Sequence, residues 1–232
     1  MIKGIKKIVL LGLAFYILDK SIIPLSTLTY NPKVDNPKIQ MVMQTENYLH
    51  IYDGNYEQNS LNYLKLAHAI TMKYMDLDSP PFWTSFNESL DSKVGDCSET
   101  SSFFYSNYLY LIKAANKSEL DKYVRMAFGE VDIGEDGGGH QWLEIFQNGS
   151  WVPYETTLND LPSITKIEPD AIDRLVPTKY VLNPGRCKYI KTNTLQVHAN
   201  GNVERNLSLQ GVIHNKGFAY ELIKAIFNNG RY

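Results

Sequence analysis

The chain has 232 residues, of which 44% are apolar and 12% aromatic, enough to bury a real core in one globular domain plus appendages, so wholesale disorder is excluded. Its 23 basic and 25 acidic residues give a net charge of -2, with no long single-sign run past the N-terminus, which removes the electrostatic basis for a nucleic-acid partner. Two cysteines, Cys97 and Cys187, allow at most one bridge, so no disulfide framework holds this fold.

Lys3, Lys6 and Lys7 precede the apolar run Ile8 to Leu18, the charged-then-apolar order of an export signal. A helix over that run is about 16 Å long, too short to cross a hydrocarbon core of about 30 Å. Residues 1–30 are therefore expected to be a signal peptide or an N-terminal membrane anchor. The anchor stays open because Asp19 and Lys20 follow directly and no small-x-small cleavage site stands at the expected place; an ordinary buried N-terminal helix is the bland alternative. Either export outcome puts the protein outside the cytoplasm, secreted or membrane-anchored. The segment 31–38, NPKVDNPK, has two prolines and no periodicity and reads as an extended linker, with the folded part beginning near Ile39.

Apolar residues at Leu61, Leu64, Ala67, Ile70 and Tyr74 predict a helix between Leu61 and Met75 that Ser60 could cap, with His68 inside it as a surface or core partner rather than a ligand. Pro80-Pro81 stops it, and Trp83 to Val94 reads as a loop or short turns. A second helix opens at Cys97, its stripe running through Ser101, Phe104, Tyr108, Leu111 and Ala115. After Lys122 the spacing changes to alternation in YVRMAFGEV, QWLEIF and SWVPYE, three strands of an antiparallel sheet, with Asn148-Gly149 as a hairpin turn between the last two. Prolines at 162, 169, 177 and 184 suggest a meander, Lys188 to His214 further strands, and Phe218, Leu222, Ile223 and Ile226 a closing helix. The fold class expected is α+β, with the Cys97 helix packed on an antiparallel sheet.

A nucleophilic cysteine needs a thiolate, and the first turn of a helix favours negative charge through its unpaired N–H groups and macrodipole. Cys97 stands there, with Asp96 and Glu99 spaced as a capping box and Gly95 allowing a sharp turn before it. The same two acids oppose a thiolate, so a nearby imidazolium is required. His140 follows a loop, Asp132 to Gly139, holding four glycines, and begins its strand. Symmetric pairing about Asn148-Gly149 brings residues 140–142 near 155–157, so Glu155 can accept the second ring N–H of His140 and stabilise the charged ring.

With G-D-C at 95–97 opening a helix, H-Q-W-L-E at 140–144 and W-V-P-Y-E-T-T at 151–157, the chain resembles the transglutaminase-like superfamily over roughly residues 60–160. The resemblance implies a papain-like core and a Cys-His-acid triad that maps onto Cys97, His140 and Glu155. It also implies a cysteine-dependent acyl transferase on peptide or carboxamide bonds, either a peptidase or amidase or a protein-crosslinking transglutaminase. The domain is placed at residues 39–232, with a C-terminal extension after about 160. Where the family has Asp followed by Pro-Thr, this chain has Glu155-Thr156-Thr157. That departure supports the rival reading, a non-catalytic binding or scaffold module that retains the fold. Neither reading calls for a cofactor. No metal is expected, since Asp132, Glu135 and Asp136 lack the EF-hand spacing and no close-spaced Cys/His pair suits zinc. The expected partners are a protein or peptide substrate and, through the N-terminal segment, a membrane. Trp142 and Trp151 read as sheet-packing residues, and Cys187, after the turn Asn183-Pro184-Gly185, as a non-catalytic thiol with no His or acid to activate it.

Overall fold

A computed structural model describes residues 36–45, 59–78, 86–132, 138–157, 172–182 and 187–207. The expected signal or anchor at 1–30 and the closing helix at 218–226 lie outside these, as do Glu135 and Asp136. Among the described residues no helix is long and apolar enough to cross a membrane.

The first helix, α1, spans Pro37–Thr45 and so begins inside the stretch read as linker. The reason is local: the Asn36 side chain accepts from the Lys38 amide at 2.9 Å, and Pro37 occupies the first helical position, where its missing N–H costs nothing. Its Ile39, Val42 and Met43 enter the core. The helix α2, Ser60–Tyr74, follows the predicted stripe, but its cap is Asn59, not Ser60: Asn59 has extended backbone and its side chain accepts from the Asn62 amide. A short parallel pair, β1 (Asp76–Leu77) and β2 (Val94–Gly95), brackets a third helix, α3, Phe86–Ser92, within the stretch expected to be loop. Seven residues are too few for a legible period; α3 is held by burial of Phe86 and Leu90 and by Lys38, which bonds the Asn87 carbonyl and pairs with Asp91.

The central helix α4, Cys97–Ala114, lies between α2 and the sheet and is buried along nearly its whole length. Its capping box is formed as the sequence suggests: Asp96 accepts from the Ser98 amide at 2.7 Å and Glu99 accepts from the Asp96 amide at 3.1 Å. Gly95 is required for closeness, since a Cβ there would lie 2.7 Å from both Glu99 Cβ and Met75 Cε. A 3-10 turn, Ser118–Tyr123, then leads to β3 (Val124–Asp132), β4 (Gly138–Gln147) and β5 (Ser150–Tyr154). Asn148 and Gly149 both take positive φ, 50° and 80°, joining Gln147 to Ser150 by the tight turn their sequence indicates.

Two short helices, α5 (Ile172–Leu175) and α6 (Thr178–Val181), are followed by β6 (Lys188–Val197) and β7 (Val203–Leu207), so further strands do follow residue 188. All five longer strands form one antiparallel sheet in the order β5-β4-β3-β6-β7. Residues 188–197 and 203–207 are therefore part of the central sheet. The fold is α+β, with α4 packed on this sheet. Between them lies an aromatic core of Phe103, Phe104, Tyr105, Tyr108 and Tyr154 with Leu143, Ile145 and Leu195. His68 of α2 belongs to it, fully buried, stacked on Phe104 at 5.0 Å and with Nδ1 3.3 Å from the Tyr154 hydroxyl.

Candidate active site

Alternation along β4 sends Gln141, Leu143 and Ile145 toward α4 and places His140, Trp142 and Glu144 on the opposite side of the strand. Gln141 shows the direction, since its amide bonds the Ser98 carbonyl and the Ser102 hydroxyl on the first turns of α4. His140, the third residue of β4, reaches past the sheet to the start of that helix, where its ring is hydrogen-bonded with the Cys97 thiol.

The β4–β5 ladder ends at Leu143↔Tyr154. Beyond it the chain turns away, and the Glu155 amide donates to the Val181 carbonyl at 2.8 Å. Extending the register would set Glu155 opposite Trp142, so its contact with His140 is diagonal. Glu155 Oε1 accepts from the Thr156 amide at 2.8 Å, the Thr157 amide at 2.9 Å and the Thr157 hydroxyl at 2.8 Å. The side chain is thus folded back over its own backbone. His140 Nε2 stands 3.2 Å from Oε1 and 3.1 Å from Oε2, and the Tyr189 hydroxyl donates to Oε2. With Nε2 engaged, Nδ1 is the ring nitrogen left for Cys97.

The charges follow from these contacts. Burial pulls the His140 ring down, but the bond to Cys97 and then the bond to and charge of Glu155 outweigh it, raising the ring to about 9. Burial likewise pushes the Glu155 carboxyl up, yet His140, Tyr189 and Thr157 hold it at about 2. At neutral pH the pair is an imidazolium facing a carboxylate, and only 11% and 6% of their side chains are exposed. His68 also feels the Glu155 charge, but burial dominates and holds it at about 4, a neutral ring.

Cys97, His140 and Glu155 are thus brought together as the sequence suggests. Both cysteines are free thiols and both are partly exposed. An acid does lie near Cys187, but it does not activate the thiol: the side chain is hydrogen-bonded with Tyr189, and burial first, then the Glu155 charge, pushes it up. A higher thiol value disfavours the nucleophilic form.

Two contributors lie beyond the sequence reading of the site. Tyr189 arrives on β6, whose pairing with β3 no local spacing announces. Ser101, one turn after Cys97 in the predicted stripe, donates its hydroxyl to the Gln141 carbonyl at 2.9 Å and meets the Thr156 hydroxyl at 2.7 Å. It is therefore bonded to the residue after His140 and to the residue after Glu155. A polar residue on a buried helical face was the available clue. Trp142 stacks on His140 at 6.0 Å and 16°, fully buried, so it covers the ring as well as packing the sheet. No family model matches this chain, and no curated protein matches it.

Proposed function

We propose that this chain is a cysteine-dependent acyl-transfer enzyme acting on peptide or carboxamide bonds, built on a transglutaminase-like, papain-like core with Cys97 as nucleophile, His140 as acid and base, and Glu155 orienting the ring. The observation that carries the reading is the His140 imidazole held between the Cys97 thiol and a carboxylate that takes five hydrogen-bond donors. A thiol beside an imidazole that a third group orients is the arrangement of an activated nucleophile and its base.

In the reaction the Cys97 sulfur attacks the carbonyl carbon, forming the C–S bond and moving the carbonyl electrons onto oxygen. The Cys97 amide, first in its helix and without an intrahelical acceptor, is available to that oxyanion. The tetrahedral adduct collapses, the C–N bond breaks, and His140 Nδ1 gives its proton to the departing amine. Water or a second amine then attacks the thioester, His140 takes a proton from it, and Cys97 leaves as thiolate. Water as acceptor makes a peptidase or amidase and a lysine amine makes a crosslinker; neither requires a cofactor. The non-catalytic scaffold reading rests on Glu155 standing where the family has Asp; what favours catalysis over it is that this carboxylate still meets His140 Nε2, at 3.2 and 3.1 Å.

The test is the rate of Cys97 alkylation by iodoacetamide at neutral pH, read by peptide mass spectrometry in the full chain. Labelling well above that of a free thiol, abolished in His140→Ala, is expected; a wild-type rate equal to a free thiol overturns the reading. The N-terminal Lys-then-apolar order further supports an exported or membrane-anchored protein with protein or peptide substrates. Recovery of tagged, unprocessed full-length chain in the soluble cytoplasmic fraction would refute that placement.

A further inference from the structure

Resting on the acyl-transfer reading above, we propose that Tyr189 is a positioning residue of the site: its hydroxyl holds the second carboxylate oxygen of Glu155, keeping both oxygens against Nε2 of His140. The two oxygens are held differently. Oε1 is pinned by the turn that follows it, through Thr156 and Thr157. For Oε2, besides His140, the described donor is the Tyr189 hydroxyl. A carboxylate fixed at one oxygen can swing about it, and the pair of near-equal distances to Nε2, 3.2 and 3.1 Å, requires the other oxygen to be fixed as well.

Tyr189 is itself well placed to do this. Its ring packs on Trp142 at 4.9 Å, tilted by 51°, and Trp142 in turn stacks on His140, so the three rings form one cluster. Its backbone pairs with Val131, two residues from an irregularity in the β3–β6 ladder at Phe128/Gly129. There a Cβ on Gly129 would stand 2.1 Å from the Ile190 carbonyl oxygen. Only a glycine permits that approach, and it sets the strand one residue from Tyr189. Burial and then the Glu155 charge push the phenol far above its ordinary value, so it remains a proton donor across the working range.

The groups facing this arrangement come from several elements. Cys97 of α4, Glu155 after β5 and Tyr189 of β6 face His140, while Cys187 and His68 also feel the Glu155 charge. The nearby cation Lys191 is engaged with Glu144.

The experiment is an NMR titration of the His140 ring in the full chain, together with Cys97 alkylation. Tyr189→Phe keeps the ring and removes the hydroxyl; it should weaken proton affinity at His140 about tenfold and slow alkylation by a similar factor. Tyr189→Leu removes the ring too, and Tyr105→Phe is the structural control, losing hydroxyl contacts to the Val124 and Val197 carbonyls far from the triad. That control should lower the unfolding midpoint while His140 titrates as in wild type. If wild-type His140 titrates at the ordinary histidine value, the acyl-transfer reading falls. If it titrates high and Tyr189→Phe matches it while Tyr189→Leu does not, ring packing is what matters and the hydroxyl's role is overturned, with the reading intact.

Discussion

Removing the Ser101 hydroxyl tests whether one helix–sheet contact sets the register of the whole site. The hydroxyl is fully buried and bridges the Gln141 carbonyl and the Thr156 hydroxyl, themselves 4% and 2% exposed. Each neutral hydrogen bond contributes about 1 kcal/mol, and a buried partner left unmatched costs about 1–3 kcal/mol, so Ser101→Ala should destabilise by about 2–3 kcal/mol. Thr156→Val removes the other hydroxyl at constant shape and should cost somewhat less. In the double mutant the losses should fall short of additive by about 1 kcal/mol, the coupling expected of contacting residues. Stability is read from urea midpoints, and Cys97 alkylation is read beside it. A loss of this size leaves the protein almost wholly folded, so it cannot by itself slow alkylation. Loosening the helix start by about 1 Å against His140 can, by up to about a hundredfold. Additive stabilities with unchanged alkylation would show that the bridge holds no register and that Cys97 is placed by the capping box alone.

Glu155→Gln should fold and yet lower the Cys97 alkylation rate by orders of magnitude, because an amide can accept the ring N–H but cannot stabilise the imidazolium. Glu155→Asp should lose up to about a hundredfold through a displacement near 1 Å, and wild-type reactivity in it would show the contact to be tolerant. His68 has its folded value, about 4, below its ordinary 6.5, so the folded state binds fewer protons between those limits. Its contribution is fully present above 6.5 and is lost as pH falls toward 4, on the order of 3 kcal/mol. Urea unfolding from pH 4 to 7 should show that slope in wild type and not in His68→Leu; equal slopes would place the titration elsewhere. His140, raised to about 9, works the other way, its contribution present below 6.5 and lost as pH rises through 9.

What the sequence made legible was what it encodes within a short span. Asp96 and Glu99 lie three residues apart, and Asn148-Gly149 fixes a register by its own backbone, so the placement of Cys97 and the approach of His140 to Glu155 could be read directly. Short or displaced signals misled. Asn59 and Ser60 are both good caps, and only backbone geometry chooses Asn59. The α3 helix is too brief to show a period and follows from what Phe86 and Leu90 bury. Asn36-Pro37 reads as linker in the sequence because proline marks helix breaks as well as starts. Tyr189 and Ser101 escaped for a different reason. Their partners lie 34 and 40 or more residues away, and no periodicity carries information over such separations.

The strand order β5-β4-β3-β6-β7 also has a consequence in time. A growing chain holds Cys97, His140 and Glu155 once residue 157 has emerged, and the β3-β4-β5 meander can form from local pairing. The outer edge of β3 then stays bare, a template for another chain, until residues 188–197 arrive to cover it. On the reading proposed here, that arrival also delivers Tyr189, so edge closure and completion of the Glu155 cradle are one event. A nascent chain, or a proteolytic fragment ending before residue 187, would carry every residue of the triad and yet be sticky before it is reactive.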